Sequence, residues 1–114
     1  MSFWRGEVID FALDQETRKH MQEQLAWIER EPSNALPYYH LAQFYRMSGK
    51  PREALGLLLE SVRLDPAFAD AHSALAEHYA VAGDSPAAWR HARAAERSGE
   101  SRAVEMLLRH RVPE

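Results

Sequence analysis

Leu41-Ala42-Gln43-Phe44-Tyr45-Arg46-Met47-Ser48-Gly49 and Leu75-Ala76-Glu77-His78-Tyr79-Ala80-Val81-Ala82-Gly83 agree at Leu, Ala, Tyr and Gly and lie 34 residues apart. A period of that length means one helix-turn-helix unit copied. Copied helical pairs bury their apolar faces against each other and so stack into a solenoid. The correspondence runs outward from the two nonapeptides: Tyr38 pairs with His72, Ala54 with Ala88, Leu58 with Ala92, and Pro32 with Pro66.

In the first copy, Tyr38, Leu41, Ala42 and Tyr45 fall at i, i+3, i+4 and i+7, which is one face of a helix. Gly49 ends that helix, because glycine accepts the left-handed conformation a helix C-terminus commonly needs. A second helix follows, with Pro51 in its first turn, Glu53 near the positive end of its dipole, and Ala54, Leu55, Leu58, Leu59 and Val62 as its apolar stripe. Asp65-Pro66 closes it. The second copy repeats this logic with Leu75, Ala76 and Tyr79 inward, Gly83 as the stop, Asp84 as N-cap and Pro86 in the next first turn. Its second helix carries Ala88, Trp89, Ala92 and Ala95, where small residues let neighbouring helices approach. A final helix from Ser101 to about Arg111, with Val104, Leu107 and Leu108 on one face, is expected to cap the stack.

Ahead of the first clear copy, Asp14 to Glu31 is expected to be helical, with Met21, Leu25 and Ile28 aligned and Trp27 beside them. One period before Tyr38, Ala42 and Tyr45 stand Trp4, Val8 and Phe11. However, Glu7 replaces the expected Leu, Gln15 the Gly and His20 the Ala. The first 13 residues read either as a decayed first helix or as an apolar arm that packs elsewhere, with Phe3 and Trp4 as its aromatic anchors.

At 114 residues the chain is one domain with a single core, and 46% apolar and 27% charged residues suit a folded protein. The absence of cysteine removes disulfides, thiolate metal sites and cysteine nucleophiles. No apolar run reaches the length of a membrane span, and Met1-Ser2-Phe3-Trp4-Arg5-Gly6-Glu7 lacks the layout of a secretory signal, so the expected location is cytoplasmic. The net charge of −3 conceals a gradient: residues 1–34 hold four basic and seven acidic side chains, residues 89–114 six and four. Six dispersed arginines make no phosphate-tracking surface, so neither nucleic acid nor membrane is an expected partner.

These spacings resemble the tetratricopeptide repeat. Tyr38, Leu41, Ala42, Tyr45, Gly49, Ala54, Leu58 and Pro66 meet its pattern in the first copy, and His72, Leu75, Ala76, Tyr79, Gly83 and Ala88 in the second. Ala92 stands where a bulky residue is usual, and Glu100 where the closing Pro belongs. The resemblance implies an all-α, right-handed α-solenoid. Residues 1–34 would be a degenerate first repeat or an arm plus a helix, 35–68 and 69–100 the two repeats, and 101–114 the capping helix. It further implies that the first helix of each repeat lines a concave groove for a peptide or partner helix. Carried over position by position, that groove holds Leu36, Tyr39, His40, Gln43, Arg46 and Met47, then Asp70, Ser73, Glu77 and Val81. Members that clamp the C-terminal carboxylate of heat-shock chaperones have Lys and Asn where this chain has Tyr39 and Gln43, so that ligand is not expected.

Catalytic and metal readings find little support. His20, His40, His72, His78, His91 and His110 contain no His-x-x-x-His or Glu-x-x-His pair, so no metal is expected. The serines lie mostly at helix ends, no Gly-x-Ser-x-Gly elbow occurs, and the five glycines form no phosphate loop. The expected protein is therefore no enzyme and carries no cofactor. It is a non-enzymatic adaptor or scaffold for a protein or peptide ligand. The alternative is a self-associating homodimer whose groove is filled by its own N-terminal arm, since about three repeats are normally needed and two are complete.

Overall fold

The computed structural model describes the backbone of residues 2–114 and the side chains from residue 15 onward. Six helices follow one another: α1 (Ser2–Arg30), α2 (Ala35–Met47), α3 (Pro51–Leu64), α4 (Ala69–Val81), α5 (Ser85–Arg97) and α6 (Arg102–Arg109). Each packs on its successor, α4 also meets α6, and the body measures 48 × 39 × 20 Å. No strand occurs among the described residues. This is the all-α helical-repeat architecture read from the 34-residue period.

The turns repeat as the sequence does. Gly49 and Gly83 have φ of +73° and +82°. The N–H after each glycine reaches back five residues, Lys50 to the Tyr45 carbonyl at 2.8 Å and Asp84 to the Tyr79 carbonyl at 2.9 Å. That is the Schellman closure, which satisfies carbonyls left free at a helix end. The same closure ends α5 at Gly99 and α6 at Arg111, two sites off the 34-residue phase. The following helices are started by side chains: Asn34 accepts from the Leu36 N–H at 3.0 Å, and Asp84 from the Ala87 N–H at 3.1 Å.

Between the hairpin helices runs a seam of small residues. One cluster joins Ala42, Ala54, Leu58, Ala71, Ala74 and Leu75, with Tyr45 and Tyr79 packed against it. The other joins Ala76, Ala88, Trp89, Ala92, Ala103, Val104 and Leu107, and Tyr79 serves it as well. Tyr45 and Tyr79 therefore occupy corresponding surroundings. The paired framework positions also make corresponding bonds: the Tyr38 hydroxyl donates to the Pro32 carbonyl at 3.1 Å, and His72 Nε2 meets the Pro66 carbonyl at 2.8 Å.

His72 makes a second bond that Tyr38 has no counterpart for. Its Nδ1 lies 3.0 Å from His91 Nδ1, and the Tyr79 ring stacks on His91 at 5.6 Å. A carbonyl can only accept, so His72 Nε2 carries the proton and His72 Nδ1 accepts from His91. Burial first, then His72 and Arg90, push the His91 pKa from its ordinary 6.5 down to about 4.

Three features differ from the sequence reading. Helix α1 is continuous, because no glycine or proline stands between Gly6 and Pro32 to break it. Its covered face is Thr17, His20, Met21, Gln24, Trp27 and Ile28, while Leu25 is 49% exposed. Aromatic contacts set this rotation: His20 stacks on Phe44 at 5.7 Å and Trp27 meets His40 edge-on. In α6, Leu108 is 62% exposed and its expected place is taken by Ala103, because α6 has only α4 and α5 to pack against. The side chains of Phe3 and Trp4, and with them the question of an arm, lie outside the described residues.

Two measurements test this frame. Gly83→Ala forces a side chain into the left-handed region and is expected to lower stability by about 1–2 kcal/mol. Gly56→Ala, inside α3 with nothing within 4 Å of the added carbon, is expected to raise it by about 0.5–1 kcal/mol. Urea unfolding of both variants reads the opposite signs.

The depressed His91 pKa makes the unfolded chain bind more protons than the folded one between pH 6.5 and 4. Its stabilising contribution is fully present above pH 6.5 and falls as pH drops toward 4, by roughly 2–3 kcal/mol. Urea unfolding at pH 7, 5.5 and 4 should show that decline, and His91→Gln should remove most of it.

Candidate functional site

Helices α2, α4 and α6 present one side of the stack, and the residues expected there at i, i+4, i+7 along α2 and i, i+3, i+7 along α4 converge. Tyr39, Gln43 and Arg46 face Asp70, Ser73 and Glu77 across a crevice of about 120 Å³. Ala74, Arg102 and Ala103 complete its wall. A chain of polar contacts crosses it. Gln43 Nε2 donates to the Tyr39 hydroxyl at 3.2 Å, Arg46 donates to Gln43 Oε1 at 3.0 Å, and the same guanidinium reaches Glu77 at 2.7 Å. At the other side Arg102 donates to Asp70 at 3.1 Å and is held by Glu100.

Both crevice ion pairs are solvated, with exposures of 31% and 54% for Arg46 and Glu77 and 65% and 54% for Arg102 and Asp70. Pairs of this kind contribute about 0–1 kcal/mol each. They hold the charged groups in place loosely enough for a ligand's charge to replace one partner. Ser73 is different: it is 7% exposed, and its Oγ is buried without a hydrogen-bond partner. A buried hydroxyl left unpaired is costly, so Ser73 favours anything in the crevice that bonds to it.

Tyr39 has a structural duty as well. Its ring lies 5.1 Å from Phe68, the residue preceding α4, and so ties the two repeats together. Burial, then the Asp70 carboxylate, raise its phenol above the ordinary 10. The other four residues carried over from the family pattern lie apart. Leu36 borders a separate dent with Asn34, Leu64 and Phe68. His40 sets its ring against Trp27. Met47 and Val81, at the C-terminal ends of α2 and α4, are 83% and 91% exposed.

Sequence reasoning missed Arg102, whose place in the wall follows from the α5–α6 turn, and it missed Ser73 as a buried hydroxyl. Ser61 is the other serine away from a helix end, but it is satisfied, donating to the Leu57 and Ala35 carbonyls. Among the described residues no group of histidines and carboxylates has metal-binding geometry, and no helix is long and apolar enough to cross a membrane.

Residues 24–56 match the family described as tetratricopeptide repeat, a span that covers the end of α1, all of α2 and the start of α3. Among curated proteins, none matches the chain.

The crevice geometry has a direct check. Asp70→Asn removes the carboxylate that raises the Tyr39 phenol, so the titration midpoint should move down toward 10, while Asp65→Asn, outside the crevice, leaves it in place. Tyrosine-resolved NMR titration reads both.

Proposed function

The chain belongs to the tetratricopeptide-repeat proteins, and from that premise we propose that it is a non-enzymatic adaptor whose α2/α4/α6 crevice holds a peptide or a helix of another protein. Repeats of this family are protein-interaction modules. The observation that carries the finer reading is the convergence of six polar side chains from two repeats around the unpaired Ser73 hydroxyl. Those side chains are already positioned by the stacked helices and by one another's hydrogen bonds, so binding would spend little on ordering them. The crevice carries charges of both signs, Arg46 and Arg102 against Asp70 and Glu77, which suits a ligand that exchanges hydrogen bonds with the wall. No nucleophile and base stand paired there, so the reading is one of binding.

Self-association is the second reading, favoured by the exposure of Met47, Val81 and Leu108. Sedimentation separates the two: a monomer of 13.1 kDa at micromolar concentration supports the adaptor.

The decisive experiment is partner capture by the full chain and its variants. Tyr39→Phe combined with Arg46→Ala keeps the contact with Phe68 but strips the crevice of its phenol and guanidinium. Capture should drop at least about tenfold, the equivalent of 1.4 kcal/mol. Glu60→Ala with Arg63→Ala, an ion pair on exposed α3, should leave capture unchanged. Equal capture by all three proteins would remove the crevice from the binding site.

A further inference from the structure

Past the Arg46–Glu77 pair the crevice opens onto a wider shelf of about 860 Å³, lined by Pro51, Ala80, Val81, Ala82, Met106 and Val112. Here the surface changes character. The crevice is polar and narrow, whereas the shelf is apolar and open, with Val81 91% exposed on it. Apolar area kept in contact with water is a driving force for association.

The charges around this shelf are of one sign. Lys50 lies between Gly49 and Pro51, which both border it, and Arg52 follows. Arg109 and Arg111 flank His110, which borders it from the end of α6. None of these four cations makes an ion pair among the described residues. The carboxylates of the same segments are mostly committed. Glu77 is held by Arg46, Asp84 caps α5, and Glu105 accepts from the Ser101 hydroxyl, leaving Glu53 as the one uncommitted acid.

We propose that this shelf docks an acidic amphipathic helix of another protein, which places large apolar side chains on Val81, Met106 and Val112 and carboxylates toward the Lys50–Arg52 turn and the Arg109–Arg111 end. The proposal rests on the adaptor reading and names the chemistry of its partner. The apolar contact supplies most of the affinity, because an anchor buried at the centre of an interface is shielded from water by what surrounds it. The four exposed cations act on selection and encounter rate, and their effect weakens with salt. Arg46 and Glu77 border both halves, so a helix seated on the shelf reaches the crevice with its next turn.

Two synthetic amphipathic helices test this, one of leucine and glutamate, the other of leucine and lysine, each titrated into the isotopically labelled full chain. At low salt the leucine-glutamate peptide should bind at least about tenfold tighter. Its amide shifts should centre on Val81, Met106 and Val112, and its advantage should shrink at high salt. Val81→Glu, a change at a side chain already in solvent, should weaken binding about tenfold with helicity intact. Lys50→Glu with Arg109→Glu should reverse the preference. Equal binding of the two peptides, or binding of neither, would overturn the proposal. So would shifts confined to Tyr39, Gln43 and Ser73, which would leave the crevice reading standing. A dimer of the chain that Val81→Glu dissociates would give the shelf to a second copy and overturn it too.

Discussion

Alanines 42, 54, 76, 88, 92 and 95 are each at most 1% exposed, and all stand where one helix of a hairpin meets the other. Their size sets the distance between helix axes, since a well-packed interior tolerates neither a gap nor an added methylene. Because the helices approach this closely, the seam accepts few bulky groups, and the tyrosines at 45 and 79 lie over it instead of within it. The remaining side chains of α2 and α4 are thereby turned outward on one side, where they form the crevice. A larger residue at Ala76 or Ala88 would displace the helices and with them the spacing between Arg46 and Glu77. Packing in the core and geometry at the surface are thus one constraint.

How much of this was legible in the chain depends on whether a residue's role recurs with the period. Tyr38 and His72 differ chemically, but each bonds the carbonyl of a proline six residues earlier, so their pairing in sequence had a physical basis. Gly49 and Gly83 recur because the same Schellman closure ends α2 and α4. Roles that occur once left no such trace. His91 stands 34 residues after Leu57, a position that argues for an apolar side chain, and nothing local announces its bond to His72. The terminal helices were the least legible. Each has fewer neighbours than an inner helix, so its rotation is set by a few contacts such as His20 on Phe44, and Leu25 and Leu108 end in solvent.

The same distinction holds at the site. Tyr39, Gln43, Arg46, Asp70, Ser73 and Glu77 follow from helical spacing once the hairpins are phased, because residues three, four and seven apart share a face. Leu36 and His40 satisfy the same arithmetic but are drawn elsewhere, His40 by Trp27 of α1. Arg102 and the shelf residues Met106 and Val112 come from α6 and the segment after it, which departs from the repeat and so carries no periodic signal. The irregular end of the chain supplies what distinguishes this surface from the face of a regular repeat.

That difference bears on how a two-part surface can be selective. In the crevice every charge already has a partner, so a ligand must exchange one hydrogen bond for another and the net gain is small; its strength is in fixing register. On the shelf the exposed apolar groups and the cations beside them have no partner to give up, so contact there is gain without exchange. A segment that satisfied only the crevice would be held weakly, and one that satisfied only the shelf could slide along it. Joining the two through Arg46 and Glu77, which border both, requires a ligand to present an apolar face and a polar group at one fixed separation. Selectivity then comes from the distance between two modest contacts, and that distance is set by the alanine seam underneath.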